Sequence, residues 1–175
     1  MGKVTVKGWG MTGSRHESYS AERTDETFEG KRVVRTWRSG PGEEEFGALC
    51  QFFKADAYRG KRIRFAAALR TVDVSDRASL CLRVDGPRIG QVIAFDNMDN
   101  RPAITGTTPW SRHACVLDVP EVAVAIFFSN ILSGRGELFW ADVRFEVVDT
   151  SVPVTDMHAV QSLPDGPVNL DFAEG

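Results

Sequence analysis

Two arginines at alternating strand positions carry the most pointed chemical signal in the chain. Arg64 lies in Lys61-Arg-Ile-Arg-Phe-Ala-Ala-Ala-Leu-Arg-Thr71, and Arg83 lies in Ser79-Leu-Cys-Leu-Arg-Val84. In both runs the arginine is opposite the apolar residues Ile63, Phe65, Leu80 and Leu82. If the runs are neighbours, the two guanidinium groups share one sheet face. Their planar forks would bind carboxylates, phosphates or sugar hydroxyls there. Gln51 alternates with Phe52 and adds an amide to that face. Arg35 and Trp37 share a face of their own run, a cation beside an aromatic platform on which a sugar or flat ring could stack. Asp96-Asn-Met-Asp-Asn-Arg101 is the densest polar cluster. Asp96, Asn97 and Arg101 would form a rim aimed at ligand hydroxyls, or the Asp and Asn side chains would bond their own backbone in a turn. The competing reading of Arg64, Arg83, Gln51, Arg35 and Trp37 is a solvated outer face laced with ion pairs.

Other chemistries find little support. His16, His113 and His158 are far apart and form no metal-binding spacing, so no metal and no cofactor is expected. The Asp96 cluster lacks the glycine and glutamate of a calcium loop. Cys50, Cys81 and Cys115 are an odd number without C-x-x-C spacing, and are read as reduced thiols. A Cys–His nucleophile pair, Cys115 or Cys81 with His113, competes with the plainer reading of small buried thiols. Ser14 stands in no nucleophile elbow, and there is no phosphate-binding loop.

These side chains need elements to hold them, and the dominant period is two. Arg32–Trp37, Phe46–Phe53, Lys61–Thr71, Ser79–Val84, Gly90–Asn97, Arg112–Val119, Val122–Leu132 and Glu137–Val148 alternate or are rich in β-branched and aromatic residues, and Val4–Gly8 is a ninth candidate. Turn signals fall at Arg38-Ser-Gly-Pro-Gly42, Asp85-Gly-Pro87 and Ser133-Gly-Arg-Gly136. No segment has a convincing amphipathic helix pattern. Many short strands with one apolar face predict an antiparallel sandwich.

The 175 residues fit one domain plus a tail. The boundaries expected are 1–148 for a sandwich and 149–175 for a proline-containing extended tail. Asn169-Leu-Asp-Phe172 is apolar enough to dock, which predicts burial of Leu170 and Phe172 in this chain or a neighbouring one. The net charge is −3, with ten basic and four acidic residues over 31–70. That block includes Arg59, Lys61, Arg62 and Arg64, but an overall acidic chain speaks against general nucleic-acid binding. No apolar run approaches the roughly 20 residues of a membrane helix. With no apolar leader and unpaired thiols, a cytoplasmic location is expected.

Several motifs together resemble a known family. They are Gly8-Trp9 with Gly13-Ser14 and Tyr19, Phe46-Gly47 with Gln51, and Tyr58-Arg-Gly-Lys-Arg-Ile-Arg-Phe65. Leu82-Arg-Val-Asp-Gly86, Ala94-Phe-Asp-Asn-Met98 with Arg101-Pro102, Gly106-Thr107 with Trp110, Val116-Leu-Asp-Val-Pro120 and Asp142-Val-Arg-Phe-Glu146 follow. The set resembles the carbohydrate-binding-like, galactose-binding-type jelly-roll domain found with AraC-type transcriptional regulators and as small stand-alone proteins. The resemblance implies an all-β antiparallel jelly-roll sandwich over roughly residues 7–148. The chain departs from the pattern at Cys81, where an aromatic is usual, at Ala68, where a larger polar group is usual, and at Phe139 and Ala141, with the tryptophan moved to Trp140. These changes predict a wider and more apolar pocket on the non-core face. The function this implies is a non-catalytic module for a small-molecule or carbohydrate-like ligand, read as a regulatory sensor. The alternative is a cofactor-independent cyclase or isomerase using the same pocket. A homodimer through one sheet face is a further alternative.

Overall fold

The computed structural model describes residues 2–39, 45–158 and Leu170. Among them are nine strands and two single 3-10 turns, at His16–Ser18 and Asp56–Tyr58. The strands are β1 (Gly10–Thr12), β2 (Tyr19–Phe28), β3 (Lys31–Arg38), β4 (Phe46–Lys54), β5 (Arg62–Asp85), β6 (Val92–Asp96), β7 (Ile104–Asp118), β8 (Ala125–Ser133) and β9 (Glu137–Val148). Every named strand pairing is antiparallel. The fold is the all-β sandwich that the alternation predicts.

The runs Lys61–Thr71 and Ser79–Val84, expected as two strands, are the two halves of β5. Its pairing slips at three places between Leu69 and Ala78, and Asp73 takes a φ of 50°. Such irregularities let one strand turn a corner from one sheet into the other. The first half pairs with β7 on one side and β9 on the other. The second half pairs with β6 and β8. The first layer is therefore β7–β5–β9–β3–β2, and the second is β6–β5–β8–β4–β1.

Between the layers lies the core. Ile63, Phe65, Leu69, Leu80, Leu82, Leu117, Ile126 and Leu132 are all fully buried. Phe128 of β8 is its aromatic centre. Its ring meets those of Trp9, Phe53, Phe65 and Phe145 at centroid distances of 5.3, 6.0, 4.9 and 5.2 Å. Tyr19 closes one end, donating its hydroxyl to the carbonyls of Glu45 and Gly134. Gly47 leaves it room: a Cβ there would stand 2.4 Å from the Tyr19 ring.

The ends of the chain differ from expectation. Val4–Gly8 is not a strand; Val4 makes one isolated parallel bridge to Ala21. Instead β2 forms the hairpin partner of β3, through a turn in which Glu29 and Gly30 both have positive φ, 48° and 74°. That is the conformation of a type I′ hairpin turn. Past Val148 the chain runs as a strap. Thr155 N–H donates to Val116 O, and Thr155 Oγ1 accepts from Val116 N–H. Met157 N–H donates to Phe95 O, and Asp156 accepts from Phe95 N–H. The strap thus bridges β7 and β6, the two strands at one open edge of the sandwich. Further on, Leu170 is 75% exposed, so it is not buried against its own chain as expected. Phe172, Gly40, Pro41 and Gly42 lie outside the described residues.

Candidate functional site

The layer switch in β5 decides where the arginines go. Arg64 is cross-strand from Glu146 on the outer face of the first layer. Arg83 is cross-strand from Phe127 on the outer face of the second. The two guanidinium groups therefore do not share a face, and the pocket built on that pairing does not exist. The alternation within each run is as read; the error came from treating two halves of one bent strand as neighbours. Arg64 forms an ion pair with Glu146 at 2.7 Å.

Arg35 and Trp37 also lie on the outer face of the first layer, with the guanidinium 4.5 Å from the indole centroid. Arg35 is held by Glu22 and, at 2.6 Å, by Glu137. Along β9 the partners of Arg35 and Arg64 are Phe139 and Glu146, which puts the two arginines roughly 20 Å apart at strand rise. Gln51 is on the core-side face of β4, cross-strand from Phe128, and joins no arginine.

Asp96 is fully buried and is not a rim. Its carboxylate accepts from Arg101 Nη2, from Thr155 Oγ1 and, at 2.8 Å, from the Met98 backbone N–H. Arg101 also donates to Ala114 O at 2.8 Å. Asp96 and Arg101 therefore form the knot that fastens the strap to β6 and β7. Asn97 accepts from Asp99 N–H and donates to its carboxylate, the self-bonded turn weighed against a rim.

Arg83 and Asn97 do come together. They line a groove of 430 Å³ that crosses all five strands of the second layer. Its middle is made of small side chains, Ala48, Cys81 and Ser129, flanked by Phe46, Phe95 and Phe127. The sequence makes this trough by setting Cys50, Ser129 and Cys81 in one cross-strand row, next to rows that carry aromatics. The Arg83 guanidinium stacks 4.9 Å from the Phe127 ring centroid. Asp85, two residues along the same face, holds it through two contacts at 2.8 and 3.0 Å. Ser129 Oγ is buried beside the Cys81 thiol, its cross-strand neighbour and hydrogen-bond partner. Phe52, beside Phe127 in the next strand, is 62% exposed and extends the apolar surface.

Phe95, Phe127 and Ser129 were not singled out from sequence. The available signal was Phe127-Phe128: two successive aromatics in one strand must face opposite sides. The departures at Cys81, Ala68, Phe139 and Ala141 do not enlarge a single pocket either. Cys81 is in the groove, while the other three lie on the first layer, where Phe139 and Ala141 pack with Val33. Trp140 faces the core.

Burial pushes the Cys81 thiol up to about 12, against a smaller opposing pull from Arg83. Burial also raises Cys50 and Cys115. All three cysteines are free. Since the thiolate is the reactive species, iodoacetamide at pH 8 will modify half-buried Cys50 slowly and leave Cys81 and Cys115 untouched until the chain is denatured. Peptide mass spectrometry reads the order; early modification of Cys81 contradicts this packing. Among the described residues no group of three His, Cys, Asp or Glu side chains could hold a metal. No helix there is long and apolar enough to cross a membrane.

The groove can be set beside known proteins. No family model matches the chain. It is 42% identical over 171 residues to a Bacillus subtilis (strain 168) protein named the uncharacterized HTH-type transcriptional regulator YbfP. The alignment takes in 97% of this chain and 57% of that protein, so the chain spans a little over half the length of this relative. Among solved structures, the CBM22-1 xylan-binding domain of Paenibacillus barcinonensis Xyn10C superposes with a TM-score of 0.58 at 14% identity, over 83% of this chain and 88% of that one. The C-terminal family 22 carbohydrate-binding module of Clostridium thermocellum Xyn10B also gives 0.58, at 12% identity, over 85% and 91%. The chain has the jelly-roll fold of carbohydrate-binding modules. At these identities the likeness concerns the fold alone.

Proposed function

We propose that this chain is a non-catalytic binding module whose second-layer groove takes a small polar, carbohydrate-like ligand. In proteins where it is joined to a DNA-binding domain, of the AraC type in our reading, it acts as the sensor. One observation carries the proposal: Arg83 stacked on Phe127 above a floor of small side chains, Ala48, Cys81 and Ser129. An aromatic face and a fixed donor fork are what a flat polyol needs, apolar on one side and hydroxylated at its edge. Asp85 offsets the Arg83 charge, which favours a neutral ligand over an anion. The regulator-named relative supports the sensor role. The strap over 149–158 is the natural output, since Phe95 lines the groove while its backbone bonds Asp156 and Met157 and its ring lies 5.6 Å from that of His158.

A cofactor-independent enzyme has less support. The thiol in the groove is pushed up to about 12, and the carboxylate beside Arg83, Asp85, is tied to that arginine. The Arg35–Trp37 platform of the first layer borders a 530 Å³ cleft, but Glu22 and Glu137 already occupy the arginine.

A thermal-shift screen of neutral monosaccharides, oligosaccharides and polyols, followed by calorimetry, tests the proposal. Arg83→Ala and Phe127→Ala will each weaken the ligand at least about tenfold, the size of one lost stacked or charge-assisted contact. Trp37→Ala will leave affinity unchanged. Binding lost in Trp37→Ala and kept in Arg83→Ala would move the site to the other layer.

A further inference from the structure

The β2–β3 hairpin leaves its sheet before it ends. Strand β3 pairs with β9 only from Val34 to Trp37, and beyond Val34 the tip pairs only with itself among the described residues. Its own register slips between Arg23 and Thr27, where Thr24 Oγ1 donates to Val33 O and accepts from Glu26 N–H. Side chains rather than a ladder therefore hold the tip in place. They reach across the outer face of the first layer, from β2 at one edge to β7 at the other. Phe28 stacks on Trp110 of β7 with ring centroids 4.6 Å apart. Glu26 holds Arg70 of β5 at 2.8 Å, and Glu29 holds Arg112 of β7. Under this arch Val33, Phe139 and Ala141 are buried on what is otherwise an outward-facing surface.

Each of these holds is weak on its own. Glu26 and Glu29 are 55% and 62% exposed, and exposed ion pairs and a single ring stack exchange readily. The surface left behind is not so easily satisfied. Without the tip, Arg70 and Arg112 each lose a carboxylate. Asp142 cannot replace both, because it already serves Arg144 at 2.8 Å as well as Arg112 at 2.7 Å. The Arg70 guanidinium lies 4.0 Å from the Phe139 ring centroid and 5.5 Å from that of Trp110. Opening thus uncovers two cations beside two aromatic faces. A cleft of 270 Å³ with Ala66 and Ala114 on its lining already opens beside Arg112.

We propose that the hairpin tip is a displaceable cover, and that the surface beneath it binds a small aromatic dicarboxylate whose place Phe28, Glu26 and Glu29 now take. The ligand ring lies against Trp110 and Phe139, and its carboxylates meet Arg70 and Arg112. Arg112 is cross-strand from Ala68, two residues before Arg70, so the two arginines are diagonal neighbours about 7–8 Å apart at Cα. One ring with two carboxylates in meta positions spans that interval. Such a ligand binds only the open form and so shifts the tip outward. The site is on the opposite layer from the groove and does not depend on it.

The test uses the full chain with ¹⁵N-labelled tryptophan, the Trp110 indole resonance being the one lost in Trp110→Phe. Isophthalate is the probe, with benzoate and isophthalamide as the two arms. The Trp110 resonance moves and saturates with isophthalate, benzoate binds at least about tenfold more weakly, and isophthalamide leaves the resonance in place. Glu26→Gln with Glu29→Gln removes the competing carboxylates at exposed side chains and tightens isophthalate at least about tenfold. Arg70→Ala with Arg112→Ala weakens it by at least the same factor, with an unchanged melting curve verifying the fold. If the arginine pair lowers the melting temperature, the glutamine pair decides. Arg83→Ala leaves the titration as it was, which separates this site from the groove. A Trp110 resonance unmoved by isophthalate in both the parent and the glutamine variant overturns the proposal. So does an affinity that the glutamine pair leaves unchanged, or equal binding of benzoate.

Discussion

Replacing Asp96 by alanine will lower the stability of the fold by about 3–4 kcal/mol, the lower part of the range for breaking a buried charge pair from one side. The carboxylate is fully buried and receives Arg101, the Thr155 hydroxyl and the Met98 N–H. Alanine removes all three acceptor contacts and leaves the Arg101 charge, about a quarter exposed, without its partner. The strap loses its anchor in the same step. Amide exchange at Thr155 and Met157, protected in the parent by Val116 O and Phe95 O, will approach that of a free chain, while the β8 amides stay protected. Urea denaturation and exchange mass spectrometry read both effects. Asp96→Asn keeps an acceptor oxygen and will lose less. A variant with parental stability and a protected strap would show that the knot contributes nothing.

Phe128→Ala will cost about 3–5 kcal/mol, as expected when a large aromatic is cut out of a close-packed core. Phe128 is the ring on which Trp9, Phe53, Phe65 and Phe145 converge from both layers. Phe53, Phe65 and Phe145 come from different strands held by their own ladders, so they cannot close the cavity. Phe52→Ala, one strand over on the outer face, will cost less than about 1 kcal/mol, because Phe52 is mostly exposed. Equal losses from the two substitutions, measured by urea denaturation, would contradict the assignment of inner and outer faces.

The period-two alternation made the sandwich legible, because a half-buried strand writes its inner face into every second residue. It also named the core side of β5 correctly: Ile63, Phe65, Leu80 and Leu82 are all buried. What alternation does not carry is the path of a strand between layers. The corner over Val72–Arg77 consists of slips in register, whose cause is long-range pairing rather than local residue type. From that one gap came the false pairing of Arg64 with Arg83. Strand β2 was missed for a different reason. Tyr19-Ser-Ala-Glu-Arg-Thr-Asp-Glu-Thr-Phe28 is polar and charged because it is an outer strand, and charge on an edge discourages pairing with other chains. Asp96 was legible as a polar cluster but not as a knot, since Thr155, its partner, comes from a segment that reads as a tail. Arg83 and Asn97 were named from sequence and do meet. The aromatics beside them needed the fold.

The most direct test of the account maps ligand-induced ¹⁵N–¹H shifts across the full chain, using the tightest neutral saccharide from the screen. If the groove is the binding site, the large shifts cluster on β5 from Leu80 to Asp85, on β8 from Phe127 to Ile131 and at Phe95 and Asn97, with smaller shifts along the strap at Asp156 and Met157. Shifts centred on Arg35, Trp37 and Glu137 of the first layer, with β8 silent, would contradict it.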